Sequence, residues 1–302
     1  MIVKGKICIW LVDILSRESL TFKELQERWI NSAANIDKKG LEKRSFERYK
    51  QAVAELFNVD VLCDAHDGYK YHLDDDFDDG TRKYKDWLLS SFHLTNLSSF
   101  ADYNKKVLLD MAPKNTDYLS PILESVTNKH SIKFAYHSFM KKRGHNLEMI
   151  PSFVKYFKQR WYVIGEEVNG NFVMTCALER MKELTICDGK KVISDKNKDI
   201  LSPENYFRDC YGVIRENKEP VKIVIRAYEP QNLYIKSTPI HECQKEIAHG
   251  KKYTDFEYFL RPTYDLQQEL FWHMNLVEVL EPESLRKDMK NMLKVCFDKY
   301  NK

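Results

Sequence analysis

The sequence predicts an α+β chain of several domains, and three observations carry that prediction. Its 302 residues favour two or three domains at roughly 100–200 residues each. Apolar residues recur at helical spacing near the N-terminus, whereas short β-rich segments with period-two character follow one another from Ile132 onward. Helices and strands then alternate toward the C-terminus. A composition of 43% hydrophobic and 31% charged residues, with 10 Gly and 9 Pro, excludes collagen-like, low-complexity and largely disordered chains.

Ile7, Trp10, Leu11, Ile14 and Leu15 share one helical stripe. Thr21 and Glu24 form T-x-x-E, a capping box that starts a second helix carrying Phe22, Leu25 and Trp29 inward. In LEKRSFERYKQAVAELF, Phe46, Tyr49, Val53, Leu56 and Phe57 predict a third helix with an inward face. VDVLC and YKYHL alternate around the turn-forming AHDG and predict a hairpin. Three helices and a hairpin predict a winged helix-turn-helix over residues 1–76.

A net charge of +3 is too small to argue for nucleic acid from bulk charge. Residues 1–75 carry twelve basic and thirteen acidic side chains, yet Lys38, Lys39, Lys43, Arg44, Arg48 and Lys50 crowd into the third helix and its approach against only Glu42 and Glu47. In helix-turn-helix proteins the start of this helix meets base edges, and flanking cations and hydroxyls contact phosphates. Lys43, Arg44, Ser45, Arg48, Tyr49 and Lys50 are therefore the candidate contacts to a double-stranded DNA operator. A solvated helix face is the alternative, and the order of elements favours DNA. Tyr69 and Tyr71 either touch the DNA backbone or pack the wing.

DDDFDDG reads as a boundary loop. Apolar stretches around Trp87, Phe92, Leu97, Val107 and Leu108 predict a helical linker over 77–116 that spaces or pairs subunits. After a helix in LSPILESVTNKHS, the segments IKFAYHS, LEMIPSFVKYF, QRWYVIGEE, NFVMTCAL and ELTIC predict five short strands, suited to a small barrel within 117–212. Asn169-Gly170 predicts a type I′ turn, whose two central positions need positive φ. Residues 213–302 read βαββαβα, a ferredoxin-like sandwich. They end in a helix from Pro282 with Leu285, Met289, Met292, Leu293 and Cys296 on one stripe.

MIPSFVKYFKQRWYVIGEEVNGNFVMTCALERMKELTI resembles the core of a WYL domain, a small Sm-like (SH3-like) β-barrel of bacterial transcription regulators. Trp161-Tyr162-Val163 corresponds to the name-giving Trp-Tyr-Leu, Leu178-Glu179-Arg180-Met181 to Leu-Asp-Arg-Ile, and Tyr136-His137-Ser138 to the early Tyr strand. The resemblance implies a C-terminal extension that contributes oligomer contacts. It also implies a ligand pocket at Tyr136, Ser138, Tyr162 and Arg180, with Lys142, Arg143 and His145 on the adjacent loop. Trp161 reads as a barrel core residue. Arg180 has two readings, a structural partner of Glu179 or Glu183 and a fork for phosphate or carboxylate, and the second is preferred. Met174 and Ala177 stand where many members place an Arg, which argues for an effector of modest negative charge.

No nucleophile elbow, P-loop, G-x-G-x-x-G, H-E-x-x-H or EF-hand loop occurs, so neither enzymatic activity nor a cofactor is expected. Seven scattered Cys without C-x-x-C spacing predict reduced, mostly buried thiols and no zinc knuckle. His241 reads as packed or hydrogen-bonded, not metal-ligating. No apolar run approaches the ~20 residues of a membrane helix, and no signal peptide is recognised, so a cytoplasmic, membrane-free protein is expected. The resulting expectation is a homodimeric regulator, preferentially a repressor, whose operator binding responds to a small-molecule, nucleotide or short nucleic-acid effector. A nucleotide- or nucleic-acid-sensing accessory module acting on a partner protein is the alternative.

Overall fold

The computed structural model describes residues 2–32, 35, 38–57, 59–74, 113–139 and 144–301. They belong to two compact units, Met1–Asp110 and Met111–Lys302. Of the predicted linker, residues 77–112 lie outside the described residues.

The first unit contains α1 (Ile2–Leu15), α2 (Phe22–Asn31), α3 (Lys43–Phe57), β1 (Val61–Asp64) and β2 (Lys70–Leu73). The Thr21–Glu24 capping box is formed in both directions. α1 is buried over more than its predicted stripe, since Cys8 and Val12 are fully enclosed alongside Leu11. On α3 Phe46 and Val53 are buried, and Tyr49 and Phe57 pack against the same core. Leu56 is 63% exposed against expectation, because Phe57 takes the inward place four residues after Val53. β1 and β2 pair antiparallel from Val61–Leu73 to Asp64–Lys70. Leu20 adds a one-residue third strand, exchanging two backbone hydrogen bonds with Tyr71 at 3.0 and 2.7 Å. Tyr71 packs edge-on against Phe46, ring centroids 4.9 Å apart, so it serves the core, while Tyr69 is exposed.

In the second unit a 3-10 turn (Thr116–Tyr118) leads into α4 (Leu119–Asn128). The strands β3 (His130–Tyr136), β4 (His145–Phe157), β5 (Arg160–Glu167), β6 (Val173–Ala177) and β7 (Met181–Lys190) follow. They form one antiparallel sheet in the order β6-β5-β4-β3-β7. β6 and β7 occupy opposite edges, about 19 Å apart in a flat sheet. Yet only Leu178–Arg180 joins them, and four Cα steps span at most about 14 Å. The sheet is therefore curled, bringing its edges together around Ile132, Met149, Val163, Leu178 and Met181. Gly165 permits the crossing at the β4 bulge between Pro151 and Phe153: a Cβ there would lie 2.2 Å from the Ile150 carbonyl oxygen.

The type I′ geometry sits elsewhere than predicted. Lys158 and Gln159 (φ 44° and 63°) form the two-residue turn between the paired Phe157 and Arg160. At Asn169-Gly170 neither residue has positive φ; Asn171 does, at 50°. The Glu167 carboxylate accepts from the Gly170 N–H, and this local bond stabilises a longer loop.

One buried and one half-buried carboxylate tie this sheet together. Glu166, 2% exposed, accepts from the Ser194 hydroxyl and the Asn197 amide, each at 2.6 Å, which anchors α5 (Asp195–Lys198) to the sheet. Glu148 on β4 meets Lys191 and the Ser131 hydroxyl at 2.6 Å each, with Lys133 at 3.4 Å. The Lys191 hydrogen bond leads in holding its carboxyl down at about 2. A depressed folded-state value gives stability above the ordinary carboxylate range that is lost as pH falls toward 2. Glu148→Gln is accordingly expected to flatten the decline in urea midpoint between pH 5 and 2, and an unchanged slope would contradict the assignment.

The chain continues through α6 (Pro203–Phe207), β8 (Val221–Tyr228), α7 (Gln231–Ser237), β9 (Lys245–His249), β10 (Tyr253–Leu260), α8 (Tyr264–Trp272), β11 (Val277–Glu281) and α9 (Glu283–Tyr300). From β8 onward this is a βαββαβα succession, with an antiparallel sheet ordered β11-β8-β10-β9. Ile223, Ile225 and Ala227 alternate inward against Phe256, Tyr258, Leu266 and Leu270. α9 departs from expectation. Only Leu285 is buried and Leu293 is 56% exposed, so the helix is anchored by its first turns.

His241 is half-buried, its Nε2 3.0 Å from the Phe207 carbonyl and its Nδ1 accepting from the Cys243 N–H at 3.2 Å. No disulfide joins any of the seven cysteines; three are buried and Cys63 is exposed. No group of side chains able to hold a metal ion occurs among the described residues, and none of the described helices is long and apolar enough to cross a membrane.

Candidate functional site

On α3 the buried Phe46 faces the core, so Lys43, Arg44 and Arg48 emerge on the solvent side and are exposed. Ser45 is half-buried, its hydroxyl accepting from Arg48 Nη2 at 3.1 Å, one helical turn away. Lys50 is drawn aside by Glu47 at 3.1 Å and lies 5.4 Å from the Tyr71 ring. Tyr49 packs on the core. Of the six predicted contacts, Lys43, Arg44 and Arg48 are thus exposed on the first turns and Ser45 is half-buried beside Arg48, while Tyr49 packs on the core and Lys50 lies near the Tyr71 ring of the hairpin.

The chain leading into α3 is fixed by Asn35, 4% exposed. Its amide donates to the carbonyls of Trp29 and Lys39 at 3.1 and 2.9 Å, and its oxygen accepts from the Lys39 N–H at 3.1 Å. Lys38 donates to the Ile30 carbonyl at 3.2 Å near the C-terminus of α2, where a cation is favoured.

In the second unit the curled sheet brings Tyr136 to Arg180. The Arg180 carbonyl accepts from the His137 N–H at 3.0 Å, and the Tyr136 hydroxyl accepts from the Ala177 N–H at 3.3 Å. Burial pushes the Tyr136 hydroxyl above its ordinary value, with Arg180 opposing. Ser138 lies between His137 and Phe139, and the Arg180 guanidinium stacks 4.1 Å from the exposed Phe139 ring. His145 pairs with Tyr136 in register and is exposed at the same end. Lys142 and Arg143 lie outside the described residues.

Tyr162 sits differently. Trp161 packs with the interior group that includes Tyr136, whereas Tyr162 packs with Phe153, Ile164 and Tyr206 on the other side of the sheet. Burial raises its hydroxyl, and Arg160 opposes that shift most. Glu179 Oε1 lies 3.3 Å from Arg160 Nη1 and 3.8 Å from Arg180 Nε. Both Glu179 Oε1 and Arg180 Nε are buried without hydrogen-bond geometry to any described partner. Arg180 therefore has an ion-pair neighbour in Glu179 and keeps an unused donor. Arg160, Glu179 and Phe139 were not among the predicted site residues. An aromatic side chain in the polar stretch HSFMKKRGH was the available signal for Phe139.

Part of the chain matches a known domain family, and solved structures show a weaker likeness. No curated protein matches the chain. Among solved structures, Proteasome accessory factor B/C (PafBC) of Arthrobacter aurescens is similar at 14% identity and a TM-score of 0.34, over 95% of this chain and 45% of its own. The chain thus spans less than half of PafBC's length. A CRISPR Cas-related protein is similar at 13% identity and a TM-score of 0.40, over 86% of this chain and 74% of its own. Residues 117–186, from the 3-10 turn through most of β7, match the WYL domain, so this segment of the chain carries the likeness to that domain family.

Proposed function

We propose that the chain is a DNA-binding transcription regulator, preferentially a repressor, in which an effector bound near Arg180 alters operator binding by α3. The observation that carries this reading is the exposed set Lys43, Arg44 and Arg48, with Ser45 half-buried beside them, on a helix that packs on a three-helix core closed by a hairpin. That arrangement supports a winged helix-turn-helix, and the strand order of 130–190 supports an Sm-like barrel. The β11-β8-β10-β9 order supports a ferredoxin-like extension, with domain limits at 1–76, 77–116, 117–212 and 213–302. Binding as a homodimer to a two-fold operator follows from the usual symmetry of such readers. A bacterial, cytoplasmic setting and the lack of an enzymatic step belong to the same reading.

The test is to sequence genomic DNA fragments retained by the purified chain, then titrate one by fluorescence anisotropy with nucleotides and short oligonucleotides present. A recurrent inverted repeat whose affinity changes with one of these effectors is expected. Arg180→Ala removes a fixed fork of donors, so it should lower effector affinity about tenfold or more while leaving effector-free DNA affinity within about twofold. By reciprocity the operator must alter effector affinity by the factor the effector alters operator affinity. Effector binding without any enriched DNA would favour an accessory module acting on a partner protein.

A further inference from the structure

A cavity of about 580 Å³ opens beside β6, on the side of the sheet away from the Tyr136–Arg180 pair. Its volume lies within the range of small-molecule sites, about 300–1,000 Å³. Val173, Ile200, Ile214 and the Tyr206 ring form an apolar wall. Arg215 and Arg261 form the other side and share the buried Asp209, at 2.7 and 2.9 Å. Two guanidiniums on one carboxylate leave a surplus positive charge. Arg215 donates through Nη1 to Asp209 and to the Tyr206 and Asn205 carbonyls. Arg261 Nε is buried without an acceptor among the described residues. Of the acidic groups on the lining, Glu216 is engaged by Lys218 at 2.6 Å and by the Tyr264 N–H at 2.7 Å, and Glu219 is exposed at the rim.

The neighbouring strand edge is unpaired among the described residues. The Glu167 N–H donates to the Phe172 carbonyl at 2.9 Å, so Phe172, Met174 and Cys176 direct their backbone groups at β5. Val173 and Thr175 therefore direct theirs away from it, along that edge. The wall is also set in advance. Asp265 accepts from the Val213 and Ile214 N–H groups at 2.8 and 2.9 Å. Gly212, at φ +84°, allows that approach, for its Cβ would lie 2.3 Å from Asp265 Oδ2.

We propose that this cavity is a second ligand site, separate from the one at Arg180, for a small molecule that joins an apolar body to a single anionic group. The apolar body lies against Val173, Ile200 and Ile214, and the anion meets Arg215. A guanidinium favours such an oxyanion through charge-assisted hydrogen bonds.

The full chain titrated with 8-anilinonaphthalene-1-sulfonate tests this, since that probe has this chemistry, and N-phenyl-1-naphthylamine supplies the uncharged comparison. Saturable 1:1 fluorescence enhancement is expected, with the sulfonate bound about tenfold or more tighter than the neutral probe. Arg215→Gln should lower sulfonate affinity by about the same factor and neutral-probe affinity little. Because Arg215 also braces Asp209, Ile214→Glu provides a second variant at a 41% exposed position. It should weaken the sulfonate while the circular dichroism stays that of the parent chain. Equal affinity for the two probes, or full sulfonate binding in both variants, overturns the proposal. So does loss of enhancement in Phe297→Glu alone, which would place the probe on α9.

Discussion

Arg44→Ala and Arg48→Ala are each expected to weaken operator binding by about 1–3 kcal/mol if the guanidinium makes a bidentate contact to guanine. That range corresponds to roughly 5- to 150-fold. Both side chains are exposed on the outer side of α3, so thermal stability should move by no more than about 0.5 kcal/mol. The variants separate two roles. A base-reading side chain, once removed, costs affinity for the operator more than for random DNA. A phosphate-binding one costs both alike and lowers the salt slope by about 0.9 for each phosphate that is no longer neutralised. Arg44 and Arg48 are one turn apart, so their double variant is compared with the sum of the singles. Anisotropy at fixed salt decides the matter: parental affinity in both single variants removes α3 as the reader.

Much of this arrangement was legible in the sequence where local chemistry decides it. The Thr21–Glu24 capping box needs only four residues, and the period-two segments of 130–190 are the strands observed. What escaped depends on contacts distant in the chain. Nothing in Lys158-Gln159 favours left-handed backbone, yet the pairing of Phe157 with Arg160 leaves two residues to reverse the chain. Asn169-Gly170 has the better turn chemistry, but there a carboxylate caps a wider loop. The predicted site divided for the same reason. Tyr136 and Arg180 meet because the sheet curls, whereas adjacent strand positions send Trp161 and Tyr162 to opposite sides. Helical spacing identified the apolar stripe of α9, but spacing cannot tell how far along a helix its neighbours extend.

The largest stability effect is expected at Asp209, which is 7% exposed and holds Arg215 and Arg261 at once. Its carbonyl also accepts from the Arg261 N–H at 2.8 Å. Asp209→Ala leaves two largely buried guanidiniums without their shared counter-charge, a destabilisation of about 3–5 kcal/mol by analogy with broken buried pairs. Asp209→Asn keeps an acceptor and should cost less. Burial opposes ionisation of Asp209, but Arg261 and Arg215 outweigh it and hold the carboxyl below the usual range. A depressed value means the stabilisation is present above the ordinary aspartate range and is lost as pH falls through the folded-state value. The difference in urea unfolding free energy between parent and Asp209→Ala should therefore narrow on acidification. A pH-independent difference, or one below about 1 kcal/mol at pH 7, would show that the triad does not brace the second unit.

The three-residue bridge Leu178–Arg180 has a thermodynamic corollary. It closes the curled sheet: the Arg180 carbonyl holds the end of β3, and the Leu178 and Met181 carbonyls accept from the Asn115 amide at 2.9 and 3.1 Å. A molecule gripping the Arg180 side chain thus binds a segment whose geometry exists only in the folded chain. Binding to the folded form alone raises unfolding free energy by RT ln(1 + [L]/Kd), about 2.7 kcal/mol at a hundredfold excess over Kd. Melting temperature thereby becomes a concentration-dependent gauge of occupancy, and a compound library can be screened by thermal shift before any operator or regulated gene is known.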